Sequence, residues 1–133
     1  MNRSKARESA FKLLYQIEIQ KEVNKEDIEL YFENNDVNSV EAKEYINDMV
    51  NGINENAKEI LDNISKNLKQ DWEVERVSKV NLALLKLAIY EIKYKELPYK
   101  VVINEVVELA KKYGEETSHS FINGILASVI KEG

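Results

Sequence analysis

Apolar residues recur along this chain at steps of three and four positions, which is the spacing of one face of an α-helix. In the first segment the recurring residues are Ala6, Ala10, Leu13, Leu14 and Ile17, with Phe11 and Tyr15 beside them. Sustained alternation of apolar and polar residues, which would predict strands, is scarce. With only four glycines and one proline in 133 residues, the pattern predicts an all-helical protein.

Capping residues and a proline indicate where further helices begin and end. Asn24, with Asp27 three positions later, has the spacing of a helix-capping arrangement. Ser39 precedes the clearest apolar rhythm in the chain, which predicts one long helix reaching Leu68. The segment "SKVNLALLKLAIYEIKYK" is apolar over a wide arc, so we expect a central helix there that stops before Pro98.

Two more helices are predicted in the last third of the chain. The first contains "KVVINEVVELAKKYG" and has Gly114 as its C-terminal cap. The second begins at Thr117 or Ser118, either of which can cap it. Phe121 and Ile122 are consecutive and point in different directions, so only one of them can be centrally buried.

These patterns predict six or seven helices joined by short connections. We expect one domain over residues 1–133, built from two packed helical sub-bundles of roughly residues 1–68 and 69–133. No segment rich in proline, glycine or serine separates them, and no internal repeat is found.

The charge is unevenly distributed. The chain carries a net charge of -5, but residues 1–12 hold four basic residues and one acidic residue. Residues 13–64 have a net charge of -9, and the rest of the chain is nearly neutral. The total argues against nucleic-acid binding over the whole surface, but it leaves room for a local basic site at the N-terminus.

Composition excludes several classes of function. There is no cysteine and only one histidine, so neither disulfides nor a Cys/His zinc site can form. The glycines supply no phosphate-binding loop and no dinucleotide fingerprint. His119 lies near Glu115 and Glu116, but such groups beside a helix start are more often capping and surface residues, so we expect no catalysis, cofactor or metal. No apolar run is long enough for a membrane span, and we expect a cytoplasmic protein.

The basic N-terminus is the remaining candidate site. Arg3, Lys5 and Arg7 do not share one helical face, so they suit a frayed, flexible lead-in that could follow RNA phosphates. A solvated terminus without function is the alternative. RNA single strands also need aromatic stacking surfaces, for which Tyr15 or Phe121 could serve.

Three stretches together resemble the NusB family: "ARESAFKLLYQ", "LLKLAIYEIKY" and "PYKVVINEVVELAKKYGEETSHSFINGIL". They occur in the order and at the separations typical of that family. The resemblance implies an all-helical antitermination factor, without enzyme activity, that acts in ribosomal RNA transcription. It also implies binding of boxA RNA together with NusE, a ribosomal protein, in a complex with NusA, NusG and RNA polymerase.

The resemblance also implies site residues. For boxA RNA these are Arg3, Lys5, Arg7, Ser118, His119 and Phe121. For NusE they are Tyr15, from the "LYQ" motif, and Asn81, which stands where the family often has an acid. Thr117 similarly occupies a position that is often Asp. We expect these two departures to affect contacts with the partner and the RNA more than the fold.

Two other functions are consistent with such a chain. One is a helical adaptor that binds only protein and whose basic terminus is inert. The other is the NusB-like module found in some ribosomal RNA cytosine methyltransferases, although this sequence has neither a following cofactor domain nor a cysteine nucleophile. The sequence leaves open whether the free protein is a monomer or a homodimer.

Overall fold

The computed structural model describes residues 2–22 and 24–132 of the chain. Within those residues there are seven α-helices and no strands, which confirms the all-helical prediction. The helices are α1 (Arg3–Gln20), α2 (Lys25–Asn34), α3 (Val40–Glu55), α4 (Ala57–Lys66), α5 (Lys79–Ile89), α6 (Tyr99–Tyr113) and α7 (Ser118–Lys131). A 3₁₀ turn, Val74–Arg76, precedes α5, and a π-helical turn, Tyr90–Tyr94, follows it directly.

Side-chain caps start four of the helices. The Asn2 side chain accepts a hydrogen bond from the backbone of Lys5. The predicted arrangement at Asn24 is a complete capping box with Asp27, and Ser39 caps α3 as expected. A fourth cap, Ser78, begins α5. These short polar side chains satisfy backbone N–H groups that a helix start leaves unpaired.

The long helix predicted from Ser39 to Leu68 is wrong, because the chain breaks at Asn56. That residue leaves helical geometry, and both its backbone N–H and its side-chain amide donate to the carbonyl of Gly52. The backbone contact is the usual helical hydrogen bond, and the side-chain amide donates to the same carbonyl at 2.8 Å where α3 ends. The apolar rhythm persists across the break, since Ile53, Ile60 and Ile64 all remain buried.

Helix α5 lies at the centre of the fold. It packs against α1, α3, α4, α6 and α7, and most of its residues are buried. The buried residues of all seven helices form one continuous core. Division into sub-bundles near residue 68 stays a prediction.

The π-helical turn after α5 places one tyrosine and one glutamate in the core region. Tyr90 and Glu91 are both buried there, and the Tyr90 hydroxyl donates to Asp48 at 3.1 Å. Gly52 faces the Tyr90 ring so closely that any Cβ would overlap it. The central helical segment stops before Pro98, as expected, but it already ends at Tyr94, and Pro98 directly precedes the first residue of α6.

Candidate nucleic-acid interface

The N-terminal segment is helical rather than a flexible lead-in. Helix α1 begins at Arg3 with Asn2 as its cap, so the basic residues lie within its first two turns. Arg3 and Lys5 are exposed. The guanidinium of Arg3 lies over the ring of Tyr45 in α3, 4.7 Å from the ring centroid. At this distance the guanidinium makes a cation–π contact with the tyrosine ring.

Arg7 differs from its two neighbours because it is buried, with 3% of its surface exposed. Its Nε donates to Glu91 Oε1 at 2.6 Å, and its Nη2 donates to Glu91 Oε2 at 3.2 Å. Its Nη1 donates to Glu105 Oε1 at 2.7 Å. The expectation that Arg7 belongs to an exposed phosphate-binding arm therefore needs correction, because two carboxylates already occupy its donors.

Tyr45 completes the group around Glu91. Its hydroxyl donates to Glu91 Oε2 at 3.1 Å. Burial, together with the negative charge of Glu91, raises the pKa of Tyr45, so this hydroxyl keeps its proton. Burial opposes the charge of Arg7, but hydrogen bonding to Glu91 and the surrounding charges outweigh that effect and raise the pKa of Arg7. The buried cation is thus fully ionised and paired.

Further contacts join the start of α1 to α6. Ser4 donates to Glu105, and Glu8 accepts from Lys112 at 2.7 Å and from the Tyr113 hydroxyl at 2.5 Å. The hydrogen bonds from Lys112 and Tyr113 lower the pKa of Glu8. The cleft between these helices has a volume of about 610 Å³, and Lys5 is on its rim.

At the start of α7, Ser118 has a structural role. It is buried, with 2% of its surface exposed, and its hydroxyl accepts from the backbone N–H of Glu115 at 2.9 Å. Gly114 caps α6 as predicted, and a Cβ there would collide with Ser118. The expectation that Ser118 touches RNA is corrected by this burial. His119, the next residue, is half-buried.

Phe121 is the partly free member of its pair, since Ile122 is fully buried. Its ring lies against Trp72, with centroids 5.9 Å apart and planes tilted by 31°. Trp72 is 51% exposed. The two rings line a groove of about 740 Å³ between α7 and the segment before α5, with Lys69 and Arg76 also on its walls. Sequence reasoning missed Trp72, although a lone tryptophan in the polar stretch "KQDWEVER" is an available signal.

Asn81 lies in the same groove as Phe121. Its backbone N–H donates to the Ser78 cap. Its side-chain oxygen is buried and has no hydrogen-bond partner within residues 2–22 and 24–132. The structure therefore brings together one residue expected at the partner surface and one expected at the RNA surface.

Tyr15 lies elsewhere. It is half-buried on α1 and stacks on Phe11, with ring centroids 6.2 Å apart. Ile19, one turn further along α1, is 53% exposed. Tyr15 and Ile19 are four residues apart and share one helical face, so they form a small aliphatic and aromatic patch separate from the Trp72 groove.

The described residues contain neither a metal-binding cluster nor a membrane-spanning helix. Among residues 2–22 and 24–132, no cluster of three or more His, Cys, Asp or Glu side chains has a geometry that could hold a metal ion. Of the helices in the described part of the chain, none combines the length and apolar character that crossing a membrane requires.

Comparison with known proteins places the chain in a family. The NusB family profile matches residues 4–131. The chain belongs to the NusB family. It is 48% identical over 132 residues to the transcription antitermination protein NusB of Acetivibrio thermocellus, which covers 98% of this chain and 90% of the relative. Its identity to the same protein of Clostridium acetobutylicum is 45%, covering 98% of this chain and 96% of the relative.

Solved NusB structures share the fold. T. maritima NusB superposes with a TM-score of 0.88 at 35% identity, covering 99% of this chain and 92% of that one. A crystal structure of the antitermination factors NusB and NusE in complex with double-stranded RNA matches with a TM-score of 0.90 at 27% identity. That match covers 98% of this chain and 97% of the other. The architecture predicted for a NusB-like chain is thereby confirmed.

Proposed function

We propose that this protein is a transcription antitermination factor that binds boxA RNA together with NusE and supports ribosomal RNA transcription by suppressing premature termination. The observation that carries the proposal is the 48% identity, over nearly the whole of both chains, to a transcription antitermination protein. The similarity to a NusB chain solved with NusE and RNA supports the same partners. No catalytic role is part of the proposal.

The proposed RNA surface uses the exposed residues of the predicted set. Arg3 and Lys5 offer cationic groups that attract phosphates. Phe121 and Trp72 together offer two tilted rings on which an unstacked base can lie. His119, two positions before Phe121, is half-buried. Arg7 and Ser118 are buried and support this surface from beneath rather than touching RNA.

The proposed partner surface contains Tyr15 and Asn81. The exposed Ile19 extends the Tyr15 patch, and aromatic and aliphatic residues of this kind are enriched in protein interfaces. Asn81 lines the groove beside Phe121, so this part of the proposed partner surface adjoins the proposed RNA surface. We further propose that the pair acts in the cytoplasm with NusA, NusG and RNA polymerase. Self-association through the same apolar surface, when NusE is absent, is the alternative to a free monomer.

The test is RNA binding by fluorescence anisotropy, with and without NusE. The probes are boxA RNA and a scrambled RNA of equal length. The proposal expects a preference for boxA that NusE strengthens, that salt weakens, and that the double variant Arg3→Ala/Lys5→Ala reduces. A matched control, Lys25→Ala/Lys58→Ala, removes the same charge from exposed positions on α2 and α4 and keeps the preference.

Equal and weak binding to boxA and scrambled RNA, unchanged by NusE, would contradict the proposal. A protein adaptor would then be the better reading. Loss of binding in the control variant, to the same extent as in the Arg3/Lys5 variant, would show that only total charge matters.

A further inference from the structure

We propose that Glu91 is a positioning residue for RNA binding: through Arg7 and Tyr45 it holds the first turns of α1 in the orientation that presents Arg3 and Lys5 to phosphates. The inference rests on the proposed function. It assigns to Glu91, in the π-helical turn 88 residues from Arg3, an effect on binding without contact with the RNA.

Glu91 fixes the position of α1 through its hydrogen bonds with Arg7. Both oxygens of Glu91 accept from Arg7, in the paired geometry that fixes a guanidinium most firmly. Glu91 is 1% exposed, so water does not compete for these hydrogen bonds. Because Arg7 also donates to Glu105 in α6, its side chain joins the start of α1 to two other elements. The position of the first two turns is thereby fixed.

Glu91 also orders Arg3, through the ring of Tyr45. Glu91 accepts from the Tyr45 hydroxyl, which fixes the tyrosine ring at its outer end. The face of that same ring carries the Arg3 guanidinium at 4.7 Å. Arg3 and Arg7 are four residues apart, so they lie one turn apart on the same side of α1. One carboxylate thus orders both ends of this turn, one directly and one through an aromatic ring.

The buried charges of Arg7 and Glu91 call for an explanation other than stability. A buried ion pair is often no more stabilising than apolar side chains of the same volume, because removing the charges from water is costly. In some proteins such a network instead fixes a defined geometry. The π-helical turn that places Glu91 in the core is itself a rare element that is frequent at functional sites. A network beneath two exposed cations fits a role in their orientation.

The expected effect follows from loss of order. If the first turn frays, Arg3 and Lys5 must be ordered again when RNA binds, which weakens binding by about tenfold for roughly one residue's worth of backbone order. If both phosphate contacts are lost outright, the slope of log affinity against log salt becomes shallower by about 1.4, since each contact to a single strand contributes about 0.7. A purely structural role would change neither quantity.

The test compares Glu91→Gln and Tyr45→Phe with a matched control. Glu91→Gln keeps the size of the side chain, and Tyr45→Phe keeps the ring under Arg3 but removes its hydroxyl. The control is Glu18→Gln. Glu18 lies on the later part of α1, and the substitution breaks its ion pair with Lys86 of α5. Three readouts are taken without NusE and under conditions where urea unfolding shows each variant to be folded. They are boxA RNA affinity, its salt slope, and amide hydrogen exchange in residues 3–8.

The proposal expects Glu91→Gln to weaken boxA RNA binding by about tenfold, to make the salt slope shallower, and to speed exchange in residues 3–8. Tyr45→Phe should show the same changes to a smaller extent, and it serves if Glu91→Gln does not fold. Glu18→Gln should lose stability while its RNA binding and its exchange in residues 3–8 stay at the wild-type level.

Wild-type RNA affinity and salt slope in a folded Glu91→Gln or Tyr45→Phe protein would overturn the inference, and so would an equal loss of binding in Glu18→Gln. Failure of the proposed function is read separately, from the unmutated chain, as an absence of preference for boxA over scrambled RNA. In that case unchanged hydrogen exchange in Glu91→Gln would also overturn the ordering role of Glu91.

Discussion

Replacing Arg7 with methionine should remove a large part of this protein's free energy of unfolding. The substitution leaves the buried carboxylate of Glu91 almost unpaired. Methionine fills much of the space of the arginine stem but donates no hydrogen bond. Glu91 is 1% exposed, and among residues 2–22 and 24–132 the Tyr45 hydroxyl is the one side-chain partner it would keep. Glu105 is 30% exposed, so water and Ser4 can satisfy it. The cost therefore falls mainly on Glu91.

The magnitude can be worked from these contacts. Removing one partner of a buried ion pair costs about 3–5 kcal/mol, and the retained Tyr45 hydrogen bond places this case near about 3 kcal/mol. Domains of this size have a total free energy of unfolding of about 5–15 kcal/mol. Arg7→Met should therefore lose a fifth or more of the stability. In urea, the midpoint should fall while the slope of unfolding free energy against urea stays the same.

Two companion variants separate the mechanism from loss of a side chain. In Arg7→Met/Glu91→Met the uncompensated charge is gone, so the double variant should regain most of the lost free energy. Lys111→Met removes a cation whose pair with Glu108 is exposed, at 55% and 70% for the two side chains. That variant should change the unfolding free energy by less than about 0.5 kcal/mol.

A loss below about 1 kcal/mol in Arg7→Met would contradict this prediction, since removing one partner of a buried ion pair is expected to cost about 3–5 kcal/mol. A double variant no more stable than Arg7→Met would also refute it. That result would mean that Arg7 stabilises through packing or through Glu105, and that the charge of Glu91 is not the cause.

Three other outcomes follow from the same contacts. Gly52→Ala should cost about 1–3 kcal/mol in urea unfolding, because the added methyl overlaps the buried Tyr90 ring, whereas an unchanged midpoint would mean that the ring can move aside. Burial and the negative charge of Asp48 raise the pKa of Tyr90 to about 12. The stability that the Tyr90 hydroxyl contributes is therefore present below pH 10 and is lost as the pH rises toward 12. Absorbance titration of tyrosinate, with Tyr90→Phe as control, measures this loss, and a Tyr90 that ionises at pH 10 would contradict it. Because the pKa of Glu8 is lowered in the folded state, its contact with Lys112 stabilises the fold above about pH 4.5, and this stabilisation is lost as the pH falls further. Glu8→Gln should abolish this pH-dependent stabilisation, which acid unfolding measures. Identical acid midpoints for Glu8→Gln and the wild type would exclude this effect.

Local features of the fold could be predicted because they depend on neighbouring residues. The caps at Asn24 and Ser39 involve partners three positions away, so their spacing is visible in the sequence. The break at Asn56 was missed because it leaves no gap in the apolar rhythm. The amide that stops α3 bonds back to Gly52, and an asparagine in a helical pattern carries no sign of whether it will do so.

The site was harder to predict because its organisation is long-range. Arg7 looked like Arg3 and Lys5 in the sequence, since its partners lie 84 and 98 positions away. A charged residue is mostly exposed unless paired, and the pair is invisible without the fold. Trp72 was missed for a related reason. It follows a polar connection, and only the packing of α7 brings Phe121 against it.

The burial of Arg7 also changes how an acidic protein can bind RNA. Of the basic residues predicted at the RNA surface, Arg3 and Lys5 are exposed and Arg7 is not, so we expect about two direct phosphate contacts on the proposed surface. Two contacts to a single strand give a salt slope of only about -1.4, far weaker than that of proteins that bind nucleic acid by charge alone. On the proposed surface we therefore expect most of the affinity from base stacking at Trp72 and Phe121 and from surface supplied by the partner. A chain with net charge -5 that binds RNA in this way should depend on NusE more than on salt.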